Sequence, residues 1–468
     1  MKKTILSGLL LILTASPLLA GGLLTNTNQS ISFLRDPSRD AVIAIDGVYS
    51  NPAGTAFLAK GFHLSANWQV AIQRREISSE NPLYMLNTNN SQSPVKNFTG
   101  KALAPVIPSF QAVYNFNNKW TVSAQFAIAG GGGECKFNNG LAMFEKLIGS
   151  KLVSANAKSY TLNQHITGEQ FHYGFQIGST FRVKDFFSVF AGVRGILADC
   201  GYKGHISGIE ANGINASQYL DGVSKAAMEA AQKFAAAGMM EEAGKFKAAA
   251  TSAAQGAYLM KEDFVLDCVQ MGFGVTPIIG VDFKYKNLNI AAKYEFRTKI
   301  NMENESLNSE NVDMIFPAYK DGAHVRTDIP AIVTAGVQYS VIPSVRVSAG
   351  FHYYWDKDAK GTPIVNGDNT WEANFGAEWN INKHFLVSAG MQHTEYGFAD
   401  SDMNDLSFNN NSNSVGIGGT YTFNRRIKLN IGYMHTFYNK HTVVMNETSK
   451  DTYNRKSNVF GVGVDLKF

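Results

Sequence analysis

Residues 61–74 read GFHLSANWQVAIQR. Phe62, Leu64, Ala66, Trp68, Val70 and Ile72 occupy one parity, and His63, Ser65, Asn67, Gln69 and Gln73 the other. A strand turns successive side chains to opposite faces, so this period of two predicts one apolar and one polar face. The pattern returns over 119–129, with Trp120, Val122, Ala124, Phe126 and Ile128 against Thr121, Ser123 and Gln125. It returns again over 287–297, with Leu288, Ile290, Ala292, Tyr294 and Phe296 against Asn289, Lys293, Glu295 and Arg297. A soluble sandwich would bury the apolar face, whereas a membrane barrel turns it to lipid and points the polar face into the lumen. Periodicity alone fits both.

Connection length separates them. Tight turns are expected at Asn117-Asn118, Val183-Lys184-Asp185, Lys286-Asn287, Ile342-Pro343-Ser344, Ile381-Asn382-Lys383 and Asn424-Arg425-Arg426. They alternate with longer segments near 75–108, 130–168, 206–265, 301–327, 357–368, 398–412 and 442–456. Short turns at one end and long loops at the other are the asymmetry of outer-membrane barrels, which have an even number of strands; here the count is about fourteen. The last strand agrees: Phe460, Val462, Val464, Leu466 and the terminal Phe468 share a face opposite Asp465 and Lys467. A terminal Phe on such a face resembles the signal that the barrel-assembly machinery reads. The fold class is therefore all-β, a transmembrane antiparallel barrel over 61–468.

Upstream, residues 1–20 form a signal peptide: Lys2 and Lys3, then the short apolar run Ile5–Leu13, then Ala20-Gly21 as the cleavage point. The mature chain is exported. Residues 21–60 follow neither helical nor strand period and end in Asn51-Pro52-Ala53-Gly54. Such a piece either dangles in the periplasm or folds inside the barrel; we read it as an N-terminal plug, or hatch. Composition supports the class. Lys plus Arg total 42 against 38 Asp plus Glu, two of the lysines being in the leader, too even for a nucleic-acid partner. Mean hydropathy is −0.13 and no 18-residue apolar run occurs, which excludes helical membrane spans. A barrel reconciles this with lipid, since only alternate residues touch it.

The mature chain resembles the long-chain fatty-acid transporter family of outer-membrane proteins, which includes the aromatic-hydrocarbon channels. The resemblance rests on Asn51-Pro52-Ala53-Gly54 directly before the first strand and on the strand count. It rests also on Ile329-Pro330 through Gly336-Val337-Gln338-Tyr339, followed by Tyr353-Tyr354-Trp355. It implies a fourteen-stranded barrel, closed by the hatch and monomeric. Apolar substrate would be captured among extracellular loops and leave laterally through a kink in the third strand. Gly130, Gly131, Gly132 and Gly133 match the place of that kink, and a flexible strand-to-loop exit accounts for the same residues.

In the loops, Leu141, Phe144, Leu147 and Ile148 have helical spacing and are candidates for a capture groove. So are Phe234, Met239 and Met240 in an Ala-rich helical insertion within 206–265; a self-packed hairpin is the other reading of that insertion. Cys200 and Cys268 flank it on neighbouring strands, a possible disulfide with Cys135 left free; other pairings, or none, are also compatible. Lumenal Lys293, Glu295 and Arg297 suit hatch anchoring or a carboxylate head group. No phosphate-binding loop or metal-ligand spacing stands out. His393 and His435 fall on the lipid-side face while Ser414 falls on the polar one, which leaves no Ser–His pair for a phospholipase. The expectation is a passive channel for hydrophobic molecules such as long-chain fatty acids. It would have no cofactor, no metal, no enzymatic activity and no nucleic-acid partner, and would be surrounded by outer-membrane lipid and lipopolysaccharide. An adhesive or structural barrel and a general porin are the alternatives.

Overall fold

The computed structural model describes residues 23–468 apart from 91 and 118. The signal peptide, the first two residues of the hatch and Asn118 of the first turn lie outside the described residues. Fourteen antiparallel wall strands close into one barrel. The first five are β1 (Gly61–Glu80), β2 (Val95–Asn115), β3 (Trp120–Phe137), β4 (Tyr160–Lys184) and β5 (Phe187–Ala211). Closure is made by β1 against the last strand, Ser449–Lys467, from His63 opposite Lys467 to Glu80 opposite Lys450.

Side-chain direction resolves what period could not. Ser65, Asn67, Gln69 and Gln73 are buried in the lumen, while Trp68 and Ile72 are about half exposed on the outside. The same inversion holds on β4, where His172 and Gln176 are buried but Phe175 is 59% and Ile177 62% exposed. An apolar outer face around a polar interior is a lipid-facing wall.

Strand length is uneven. β4 and β5 have 25 residues each, whereas Val345–Tyr354 and Trp371–Asn380 have 10. About ten residues cross a bilayer, so the long strands rise well above it and the wall is high on one side. The loops are correspondingly shorter than expected. Residues 95–108, 160–168 and 206–211, read as loop, belong to strands. Above the bilayer the outer face need not be apolar: Arg74, Lys101, Lys136, Glu169 and Lys203 point outward there, which erases the alternation.

Residues 23–58 lie inside the barrel as a short helix α1 (Ile31–Arg35) and two 3-10 turns, almost entirely buried. Asn51 caps the second turn by accepting from Gly54 N at 3.0 Å, and its amide donates to Asp282 at 2.6 Å. Ser188 and Thr180 donate to the Ala53 and Pro52 carbonyls at 2.7 and 2.9 Å. At the same short-turn end, Glu378 receives Arg35 at 3.0 Å, Arg39 at 3.1 Å and Arg346 at 2.8 Å. His352 bridges Asp40 of the hatch and Glu372 of the wall at 2.9 and 2.8 Å. Lys293 donates to the Tyr49 carbonyl at 2.8 Å and pairs with Glu295 at 2.6 Å. Arg297 instead binds the Asp358 carbonyl, outside the hatch.

Candidate functional site: an apolar chamber and a gap in the wall

Helix α2 (Ala142–Ser154) leans over the mouth from the β3–β4 loop. The hairpin helices α3 (Ala216–Ala236) and α4 (Met240–Leu259) follow, and a short helix, α5, spans Glu310–Ile315. Between α2, α5 and the raised wall lies a chamber of about 880 Å³. Phe144, Leu147 and Ile148 line it from α2, and Val312, Ile315 and Phe316 line it from the segment around α5. Ile206, Met260, Phe264 and Leu266 complete the apolar wall. Phe144 and Phe316 meet edge to face at 5.9 Å. Lys151 is the one charged group in the lining; it donates to Ser252 at 2.8 Å, and burial pushes its ammonium pKa below the ordinary lysine value. Such a cavity suits an apolar molecule with at most one polar end.

The wall has a gap below and beside this chamber. β2 and β3 pair from Gly100–Phe137 to Leu103–Glu134 and again from Ser109–Ala127, with no pairing between. The interruption has a cause on each strand. On β2, Pro105 and Pro108 lack the N–H that a ladder needs. On β3, Gly131 sits at φ +66° and bulges against β4, a conformation that side-chain-bearing residues rarely take. A Cβ at Gly130 would collide with the Leu24 carbonyl. That approach is used: Thr25 bridges to Gly130, and Asn26 donates its backbone N–H to Ala129 O at 2.9 Å and its side-chain amide to Ile128 O at 2.8 Å. The first described residues of the chain thus occupy the edge the wall leaves open. One contiguous cluster of buried apolar residues includes Phe144 and Ile148 of the chamber and Ala104, Ile107, Ile128 and Ala129 at the gap.

Of the candidate groove residues, Phe144, Leu147 and Ile148 meet in the chamber. Leu141 does not; it is 1% exposed, packed beneath the start of α2. Phe234 stacks on Phe246 at 5.1 Å within the α3–α4 hairpin, and Met239 and Met240 lie exposed at its tip, away from the chamber. Of the lining residues missed, Val312, Ile315 and Phe316 carry the same i, i+3, i+4 signal as α2. All three cysteines are buried free thiols. Cys200 is opposite Gln270, and Cys268 is opposite Tyr202. That diagonal spacing of about 7–8 Å exceeds the reach of a disulfide. Among the described residues no group of three His, Cys, Asp or Glu side chains is placed to hold a metal ion.

A closed barrel with a lipid-facing apolar exterior, a filled polar lumen and loop-built mouth defines an outer-membrane channel protein. The family model for Gram-negative porins matches residues 185–441, and the chain belongs to that family, in the outer membrane. No curated relative matches the sequence. The fold is shared with solved structures at low identity. A Pseudomonas aeruginosa FadL homologue is 12% identical, with a TM-score of 0.61 over 96% of this chain and 100% of that one. The Pseudomonas putida toluene transporter TodX is 12% identical, with a TM-score of 0.55 over 91% and 94%. The Ralstonia pickettii toluene transporter TbuX is 12% identical, with a TM-score of 0.53 over 94% and 97%. The resemblance drawn from the sequence holds at the level of fold.

Proposed function

We propose that this protein is a passive channel that takes up hydrophobic molecules, of the size and character of long-chain fatty acids, through the outer membrane. Substrate enters the apolar chamber and leaves sideways into the bilayer between β2 and β3. The observation that carries this reading is the contiguous apolar cluster that joins the chamber to the unpaired stretch of wall. Transfer of apolar surface out of water supplies the driving force, roughly 0.8 kcal/mol per methylene. The fold shared with a FadL homologue and with toluene transporters agrees. The hatch that fills the lumen argues against a general porin.

The test is uptake of a labelled long-chain fatty acid by cells that lack their own transporter and express this chain, with surface assembly verified. Gly131→Val removes the left-handed bulge of β3 beside the gap, since a Cβ there collides with the Gln170 carbonyl of β4. Gly238→Val is the control, since Gly238 has a similar φ of +76° but open space at the hairpin tip. Uptake lost in the first and kept in the second is the expected result. Uptake kept in both would refute lateral release; none with the native chain would refute fatty-acid transport.

A further inference from the structure

The barrel's charge is not evenly distributed. Its six short turns carry Lys119, Lys184, Lys286, Lys383, Arg425 and Arg426, all exposed. Among the described residues of these turns Asp185 is the only carboxylate, and only Ile342-Pro343-Ser344 lacks a cation. At the other end the long loops mix both signs, and 398–411 holds Asp400, Asp402 and Asp405 with no Lys or Arg. Immediately above the short turns runs a belt of exposed aromatic rings that includes Trp120, Tyr285, Trp379 and Phe423. Such rings sit at the membrane–water interface, which fixes the cations at head-group depth. In one sector Lys383, Arg425 and Arg426, with Lys428 and His384, also rim a cavity of about 420 Å³ under the hatch. The carboxylates of its lining are already engaged: Asp46 by Arg39, Glu378 by three guanidiniums, and Asp465 by Ser65 and Asn430.

We infer that this ring binds the anionic phosphodiester head groups of phospholipids in the periplasmic leaflet, most tightly at the Lys383–Arg425–Arg426 sector. Two features select a lipid over an acidic protein. The cations are spread around the circumference, where an annulus of lipid touches all of them and a docked protein would touch one sector. They also lie next to the aromatic belt, so that acyl chains contact the wall while the phosphate meets the turn. Each basic side chain near an anionic surface strengthens binding about fivefold at low salt, and the effect is screened over about a Debye length.

The test uses the mature chain folded in a zwitterionic detergent. Native mass spectrometry would compare its retention of dioleoyl phosphatidylglycerol with that of dioleoyl phosphatidylcholine. The expected result is at least a tenfold preference for the anionic lipid, lost as salt is raised toward about 1 M. The variant Lys383→Gln/Arg425→Gln/Arg426→Gln should lose about 100-fold in affinity for that lipid. Lys225→Gln/Lys245→Gln, on the extracellular hairpin, should lose none. Equal retention of the two lipids by the native chain, a preference indifferent to salt, or an undiminished preference in a folded triple variant would each overturn the inference. Tight binding of soluble polyglutamate without preference for the anionic lipid would also overturn it, in favour of an acidic protein partner.

Discussion

Glu378 is where the hatch is most exposed to perturbation. Its carboxylate, 3% exposed, holds Arg35 and Arg39 of the hatch and Arg346 of the wall at 2.8–3.1 Å. Glu378→Gln preserves shape and removes the charge. Arg39 keeps Asp46 at 2.8 Å, and Arg346 is partly exposed to water. Arg35 is left with hydrogen bonds to Ser388 and Ser32 and no carboxylate of comparable proximity. Removing one partner of a buried pair costs about 3–5 kcal/mol, which raises the population of a displaced hatch by roughly two to four powers of ten. Planar-bilayer recording is the assay, since a barrel with its lumen filled passes little current. The native chain should be nearly silent and the variant should show discrete open events. Melting of the barrel in detergent should change far less, because the strand ladder is untouched. A silent variant with a correctly assembled barrel would refute the reasoning and place the anchoring energy elsewhere, at His352–Asp40 or Lys293–Tyr49.

Three further outcomes are expected. Phe144→Ala should weaken binding of a fluorescent apolar probe about tenfold by removing part of the chamber lining, whereas Leu141→Ala should lower stability by about 2–5 kcal/mol through a cavity beneath α2; the two effects are separable by titration and melting. Asp405 accepts from the Met143 backbone at 2.6 Å, and burial raises its pKa from the usual aspartate value to about 6. Between those values the folded loop keeps a proton that the unfolded loop has released, so docking of α2 should weaken as pH rises from 4 to 6 and level off above. Hydrogen exchange over 142–154, corrected for intrinsic rate, should show this and Asp405→Asn should abolish it. Replacing 225–249 by a short Gly-Ser linker should leave barrel melting unchanged, since the distal hairpin packs chiefly on itself, as in the Phe234–Phe246 stack and the Ser224–Ala250 bond.

The membrane-spanning wall was legible because lipid imposes a strict parity: Trp68 must face out where Gln69 faces in. The raised part of the wall was not, since water on the outer face permits Arg74 or Lys101 where lipid would demand an apolar residue. Helical spacing found the α2 side of the chamber in Phe144, Leu147 and Ile148. It misassigned Phe234 because an apolar helix face can be satisfied by its neighbour, here Phe246, as well as by a ligand. Hatch anchoring by Lys293 and Glu295 could be read from charges on a lumenal parity. The triple engagement of Glu378 could not, because its partners lie 339 residues or more apart for the hatch arginines. The four glycines signalled an irregular strand, but the prolines at 105 and 108 that free its partner edge were read as loop.

The two exits open to a molecule in the chamber differ in what each must displace. A path straight down the lumen requires disruption of Arg35 and Arg39 on Glu378 and of Asp40 on His352, buried pairs whose rupture costs about 3–5 kcal/mol each. The path through the wall requires only that Thr25 and Asn26 leave β3, which breaks two hydrogen bonds and one strand bridge at about 1 kcal/mol apiece. A substrate recovers that much by burying roughly four methylenes in lipid, whereas the periplasmic route returns it to water and recovers nothing. On the proposed route, an apolar cargo would favour the lateral exit by energy as well as by geometry. Under that proposal the ionic anchors of the hatch would keep the vertical path shut without obstructing the lateral one.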